Sequence, residues 1–203
     1  MAKDKPPRLG LPADLHNADA FACYGKGAVP TIISWWTGLF NPVKFFWSGF
    51  KSPSHVAFIV SGDESESGVL YESTTLSKLA DKYTGVQRQG VQAHDPAVWL
   101  NNYPGRVRLY RLKVAMTEGG RTAAIKYAMD AHARQVKYDM GQAIGSGLRT
   151  IRNTEDGKRL FCSEFLAFFL QKGEAVSTSI NCSEQTPLDA VNLKCYRLIG
   201  WIK

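Results

Sequence analysis

Two short apolar runs separated by a polar segment constrain the fold of this chain more than any other feature. Residues 55–60 (HVAFIV) and 69–73 (VLYES) are rich in the β-branched and aromatic side chains that favour strands. The polar residues 61–68 between them are enough to turn the chain back on itself. The pattern therefore predicts a two-stranded antiparallel hairpin.

The register of this hairpin decides which side chains meet. If it closes symmetrically between Val60 and Val69, Ala57 lies opposite Glu72. His55 then shares one face of the sheet with Glu72 as a diagonal neighbour, about 7–8 Å away at the backbone. A slip of one residue would place these two polar side chains on opposite faces, so their contact depends on the register.

The remaining sequence predicts one α+β domain. Further strands are expected at 18–24, 107–114 and 195–202, and helices at 31–39, 117–137 and 160–171. Basic residues on both faces of the 107–114 strand predict a sheet edge that charge keeps soluble. Residues 1–14 carry three prolines and are expected to form a flexible N-terminal arm, which leaves residues 15–203 as the single domain.

Composition excludes several classes of protein. The 203 residues are 44% hydrophobic and 21% charged, which rules out intrinsic disorder. The 25 Lys and Arg against 18 Asp and Glu give a net charge of +7, which favours anionic partners. No recognised nucleic-acid motif accompanies that charge, and no apolar stretch reaches the roughly 18 residues of a membrane span. The N-terminus shows no Sec-type signal peptide, so synthesis in the cytoplasm is expected.

Cysteine and histidine spacing gives no support to a metal site. The four cysteines, at positions 23, 162, 182 and 195, form no CxxC pair, and the four histidines are far apart in sequence. The sequence has no phosphate-binding glycine motif, so neither a metal nor an organic cofactor is expected. Cys182 and Cys195 remain open to two interpretations, a disulfide in an oxidising compartment or two reduced thiols.

Cys162 stands in the strongest local motif, FCSEF at residues 161–165. It is expected in the first turn of an apolar helix, where backbone N–H groups and the helix dipole favour the thiolate. A small buried thiol in the core is the alternative. His55 as a base and Glu72 as the carboxylate that orients it would complete the arrangement that thiol catalysis requires.

These residues also resemble a known family. The segments 54–60 (SHVAFIV), 69–72 (VLYE) and 161–165 (FCSEF) resemble the permuted papain-like amidases, the YiiX-like relatives of NlpC-type cell-wall peptidases. In that group the histidine strand comes first, the glutamate strand second and the nucleophile helix last. Weaker similarity at 19–21, 33–38 and 186–189 extends the resemblance over residues 18–200.

The resemblance implies a circularly permuted papain-like fold, in which an antiparallel sheet packs against the nucleophile helix, and it assigns the site residues. Cys162 would be the nucleophile, His55 the general base and Glu72 the third, orienting residue. Tyr138 would help to polarise the substrate carbonyl beside the backbone N–H of Cys162; an ordinary aromatic at a helix end is the alternative. Glu164 is expected to cap the start of the helix.

The function that this resemblance implies is amide hydrolysis through a thioester acyl-enzyme. Peptidoglycan stem peptide is the favoured substrate. The setting would be a delivered antibacterial effector or a phage enzyme, with an immunity protein or delivery machinery as partner and a non-Sec route to the periplasm of a target cell. Two alternatives remain open: an acyltransferase or a hydrolase of lipids or N-acyl amino acids on the same scaffold, and a catalytically inactive binding module.

Overall fold

A six-stranded antiparallel sheet and four helices make up the part of the chain that the computed structural model describes, namely residues 9–25, 52–62, 68–75, 77–139 and 159–203. The strands are β1 (Ala20–Tyr24), β2 (His55–Val60), β3 (Val69–Thr74), β4 (Gly90–His94), β5 (Arg106–Leu112) and β6 (Tyr196–Trp201). The helices are α1 (Pro96–Asn102), α2 (Glu118–Ala133), α3 (Cys162–Lys172) and α4 (Pro187–Val191), with a short 3-10 helix at Cys182–Glu184. The predicted α+β class is confirmed.

The strand order is β4-β3-β2-β1-β5-β6, and every neighbouring pair is antiparallel. The expectation that the arginine-rich strand forms an edge is therefore wrong, because β6 covers β5 on the side away from β1. Each arginine of β5 contacts charged or aromatic side chains. Arg111 pairs with Asp19 and Asp14, while Arg106 and Arg108 lie over the ring of Trp201.

The hairpin of β2 and β3 has the register that the sequence predicts. Val60 pairs with Val69, and Ala57 lies opposite Glu72. His55, two residues before Ala57, is therefore on the same face as Glu72. The confirmed register is what allows the two polar side chains to meet.

Apolar side chains cover both faces of the sheet. One face, which includes Val56 and Phe58, packs against α2, α3 and α4, and the other packs against Trp99 and Leu100 of α1. The ring centroid of Phe58 lies 4.9 Å from that of Phe165 and 4.7 Å from that of Phe169. Burying a side chain of this size contributes about 1.5–3 kcal/mol. These contacts hold α3 on β2 and fix the start of α3 near the start of that strand.

Local signals set the ends of the two long helices. The hydroxyl of Thr117 accepts the N–H of Gly120 at 3.1 Å and so caps α2, as its sequence indicates. The helix ends at Ala133, before the predicted residue 137, because Gln135 adopts a φ of 52° that no helix continues. Gly173 ends α3, as expected.

Other predictions fall partly or wholly outside the described residues. The predicted helix at 31–39 lies outside them, and of the predicted arm at 1–14 the structure describes residues 9–14, where the N–H of Leu9 donates to the carbonyl of Trp201 at 2.8 Å. The sequence missed β4, α1 and α4. Across the ranges given above, no helix combines the length and apolar character needed to cross a bilayer.

Candidate active site

Cys162 is the first residue of α3, and the chain before it is fixed by hydrogen bonds from other elements. The hydroxyl of Ser73 donates to the carbonyl of Leu160 at 2.6 Å. Glu164 accepts the N–H of Phe161 at 3.4 Å and the hydroxyl of Ser183 at 2.5 Å, so it caps the helix as its position predicts. The start of α3 is therefore tied to both β3 and the 3-10 helix.

The thiol of Cys162 lies against the N-terminal end of β2. Burial favours the neutral thiol, but the charge and hydrogen bond of His55 outweigh it, helped by the backbone N–H groups of Val56 and Ser163. Together they lower the pKa of Cys162 below its ordinary value. The side chain that the sequence singled out as a nucleophile is thus surrounded by donors that stabilise a thiolate.

His55 connects this thiol to Glu72. Its Nε2 lies 2.7 Å from Oε2 of Glu72, which leaves Nδ1 for the hydrogen bond with the Cys162 sulfur. Burial opposes charge on the ring, but the charge and hydrogen bond of Cys162, followed by those of Glu72, raise the pKa of His55 to about 10. At neutral pH the geometry thus favours a thiolate, an imidazolium and a carboxylate in line, an arrangement suited to nucleophilic attack.

Glu72 is almost completely buried, with 3% of its side chain exposed. Burial alone would raise the pKa of the carboxyl, but hydrogen bonds from His55 and His94 and the charges on both rings lower it to about 2. The carboxylate therefore keeps its charge throughout the neutral range. It can hold the His55 ring in place and stabilise its protonated form.

His94 is a site residue that sequence reasoning missed. Its Nε2 lies 3.3 Å from Oε1 of Glu72, and its Nδ1 lies 3.2 Å from the carbonyl oxygen of Ala80. Both ring nitrogens therefore face oxygen acceptors, and the ring supplies a donor to each only when it carries both protons. In β4, His94 pairs with Leu70, which places it on the face of Glu72. A strand assignment for GVQAH would have located it.

Tyr138 lies close enough to Cys162 for the two groups to influence each other's ionisation. Burial, then the charges of Cys162 and Asp139, raises the pKa of the Tyr138 hydroxyl, which therefore stays protonated at neutral pH. The side chain is half-buried and follows the bridge between Lys137 and Arg159. The structure thus brings Cys162, His55, Glu72 and Tyr138 together at one end of the sheet.

Two more side chains border the site on the α1 side. The Tyr103 hydroxyl hydrogen-bonds with Ser54, and its ring stacks on Trp99 with centroids 5.0 Å apart. Cys23 pairs with His55 across β1 and β2. Burial, followed by the charges of Glu72 and Cys162, raises the pKa of the Cys23 thiol. The pKa of Cys23 is therefore shifted up, whereas that of Cys162 is shifted down.

The described residues contain neither a disulfide nor a metal-binding group. All four cysteines are free thiols, including Cys182 and Cys195. Within the described ranges, His, Cys, Asp and Glu side chains form no group of three or more with the geometry of a metal site.

In comparisons with known proteins, the chain matches no family model, and no curated protein matches its sequence.

Proposed function

We propose that this protein is a cysteine hydrolase that cleaves an amide bond through a thioester acyl-enzyme. The observation that carries the proposal is the contact series from Cys162 through His55 to Glu72, in which the thiol pKa is lowered and the imidazole pKa is raised. A buried structural thiol has no need of such partners, and burial alone would give it the opposite shift.

In the proposed acylation step, the Cys162 thiolate attacks the carbonyl carbon of the amide and a carbon–sulfur bond forms. The carbonyl oxygen becomes an oxyanion, for which the backbone N–H of Cys162 and the hydroxyl of Tyr138 are the proposed donors. When the intermediate collapses, the carbon–nitrogen bond breaks. The His55 imidazolium gives its proton to the departing nitrogen, which leaves as an amine.

Deacylation reverses the role of His55. The neutral ring takes a proton from water as the water oxygen attacks the thioester carbon. The carbon–sulfur bond then breaks, which releases a carboxylic acid and restores the thiolate and the imidazolium. Glu72 stays ionised in both steps and keeps the ring oriented.

The same residues support the proposal that the fold is of the permuted papain-like type. The histidine strand β2, the glutamate strand β3 and the nucleophile helix α3 follow one another in the chain in the order that the resembled amidases have. The antiparallel sheet that packs against α3 agrees with that fold.

For the substrate we propose a peptidoglycan stem peptide. The resemblance to NlpC-type enzymes favours it, and a net charge of +7 draws the protein to an anionic cell wall. Delivery to the periplasm of a target cell by a non-Sec route fits this substrate, and an immunity protein would then be its partner in the producing cell.

The test is digestion of purified peptidoglycan, with mass spectrometry of the soluble products. A phospholipid and N-acyl amino acid panel is incubated in parallel, and Cys162→Ser is the matched control because it replaces one atom. New stem-peptide fragments with the wild type, absent with Cys162→Ser, support the proposal. Turnover confined to the lipid or N-acyl panel would replace it with the acyl-chemistry alternative. The absence of turnover on every substrate, together with an unreactive Cys162, would favour a binding module.

A further inference from the structure

Two arginines and two aromatic rings form a cluster on the sheet face that α3 covers. The Cζ atoms of Arg106 and Arg108 lie 3.8 Å and 4.3 Å from the centroid of the Trp201 ring. The Tyr24 ring lies 5.1 Å from the Trp201 ring, and Nη1 of Arg108 donates to the Tyr24 hydroxyl at 3.5 Å. We call Tyr24, Arg106, Arg108 and Trp201 the arginine cluster.

The positive charge of the arginine cluster has no carboxylate partner among the residues that the structure describes. Arg111, on the same strand, pairs with both Asp14 and Asp19. Arg106 and Arg108 are two residues apart, or about 6.6 Å at the backbone, and both lie on one indole. Nε of Arg108 is buried and finds no acceptor in that part of the chain. Two like charges and a donor without an acceptor indicate a site for an oxyanion.

The register places the arginine cluster beside the thiol. Val56, whose N–H donates to the Cys162 sulfur, lies opposite Ala22 of β1. Ala22 in turn lies opposite Arg108 of β5, and Arg108 lies opposite Trp201 of β6. Arg108 is therefore two strand spacings from Val56, or about 10 Å. Arg106 lies farther toward the end of the sheet that holds His55, because it pairs with Tyr24.

We propose that Arg106 and Arg108 bind a carboxylate of the substrate that Cys162 attacks, since the backbone of Arg108 lies about 10 Å from that of Val56 beside the sulfur. This inference rests on the proposed hydrolase function and narrows its substrate to acidic peptides. The planar guanidinium fork matches a carboxylate with two parallel hydrogen bonds. Stacking on Trp201 holds both forks in place before the substrate arrives. A stem peptide offers two sources of this group, the α-carboxylate of its γ-linked D-glutamate and its C-terminal carboxylate.

The test uses four forms of the peptide N-acetyl-L-Ala-γ-D-Glu-L-Lys-D-Ala. One keeps both carboxylates, two have one or the other converted to a carboxamide, and one has both converted. The wild type should cleave the peptide with the recognised carboxylate about 10–100-fold more efficiently in kcat/KM than its amide, the range expected for charge-assisted hydrogen bonds. The single amides identify which carboxylate is bound.

Variants connect this preference to the arginine cluster. In the double variant Arg106→Gln and Arg108→Gln, the ratio of carboxylate to amide kcat/KM should fall to about one. Arg108→Lys, which keeps the charge but loses the fork, should keep part of the preference. Arg197→Gln is the matched control. Arg197 is in β6 and lies opposite Arg111 of β5, away from the arginine cluster, so this variant should keep the full ratio. An unchanged ratio in the double variant would overturn the proposal, as would an equal loss on both peptides.

A binding measurement separates this proposal from the hydrolase function. Calorimetric titration of Cys162→Ala with the acidic peptide and its amide reports recognition without turnover. If Cys162→Ala prefers the acidic peptide while the wild type cleaves none of the four, the carboxylate site stands and the proposed reaction fails. If the peptides are cleaved with no preference, the reaction stands and the carboxylate site fails. If no peptide is bound or cleaved, both fail.

Discussion

At the scale of single residues, the site depends on one histidine ring placed between two anionic groups. Cys162 and Cys195 show what that ring changes. Cys195 is the more exposed thiol, but burial raises its pKa to about 11, whereas the pKa of the buried Cys162 is lowered. Because the thiolate is the reactive form, the lowered pKa should make Cys162 the more reactive thiol, although Cys195 is the more exposed one.

We therefore expect iodoacetamide at pH 7 to modify Cys162 faster than any other cysteine, as measured by peptide mass spectrometry over time. Removal of the ring in His55→Ala should raise the pKa of Cys162, since the positive charge and the hydrogen bond are lost. The alkylation rate should then fall at pH 7 and recover as the pH rises toward 10. Faster modification of Cys195 than of Cys162 in the wild type would contradict the proposed nucleophile.

Glu72→Gln keeps the size of the side chain and removes its charge. We expect kcat to fall by roughly 10–10⁴-fold, because the ring loses the anion that stabilises its protonated form and fixes its tautomer. Cys162 should still react with iodoacetamide, more slowly at neutral pH. Steady-state kinetics measures the first effect and the alkylation rate the second. Wild-type kcat in this variant would show that Glu72 has no part in the reaction.

His94→Gln tests whether the second histidine positions Glu72. The ring lowers the Glu72 pKa together with His55, so its loss should move that pKa up from about 2, in the direction that burial favours. The protonated Glu72 no longer holds His55, so activity should disappear at a higher pH on the acid side of the profile. The measurement is the pH dependence of kcat/KM. A reduced rate with an unchanged acid limb would indicate a purely structural role for His94.

At the scale of elements, the sequence predicted the features that depend on residues close together in the chain. The hairpin register followed from two apolar runs once a symmetric closure between Val60 and Val69 was assumed, and the α2 cap followed from Thr117. The strand β4 was not predicted, because GVQAH carries only one β-branched residue and owes its conformation to pairing with β3. The edge assignment of β5 failed because its covering strand, β6, comes more than 80 residues later. Because β4 was not predicted, the sequence did not place His94 beside Glu72.

Asp81 connects β4, α2 and the turn that contains Thr84. Its carboxylate accepts the N–H of Ala93 in β4 at 2.8 Å, the N–H of Thr84 at 3.0 Å and Nε2 of His132 in α2 at 2.8 Å. Asp81→Asn removes the charge and replaces one acceptor oxygen with an amide NH2 group, a donor that would face other donors. We expect the free energy of unfolding to fall by about 3–5 kcal/mol, the usual cost of removing one partner from a buried pair. Urea denaturation monitored by circular dichroism measures it.

Asp130→Asn is the control for this variant. Asp130 is on α2 and pairs only with Lys126 among the described residues, with more than half of its side chain exposed. Its loss should change the free energy of unfolding by less than about 0.5 kcal/mol. If Asp81→Asn were as stable as Asp130→Asn, the buried carboxylate would not hold these elements together.

At the scale of the whole molecule, the net charge of +7 makes association with an anionic polymer dependent on salt. We expect the digestion rate of peptidoglycan to fall as ionic strength rises from about 0.01 M to about 1 M, where the screening length shrinks from about 30 Å to about 3 Å. Hydrolysis of the doubly amidated peptide should not fall in this way, because its single charge is that of its lysine, which a basic protein does not attract. A turbidity assay and a peptide assay in the same buffers compare the two. Equal salt dependence would argue against steering by the overall charge.

The order of the strands also sets when the reactive group arises during synthesis. Five adjacent strands, β4-β3-β2-β1-β5, come from residues 20–112, so His55, Glu72 and His94 are all made before the helix that carries Cys162. The groups that lower the pKa of the sulfur therefore come from both sides of this point, His55 and Val56 from before it and the N–H of Ser163 from after it. The nucleophile is made at the start of the last 42 residues, from Cys162 to Lys203. A chain that stops before this point carries His55, Glu72 and His94 but not the thiol.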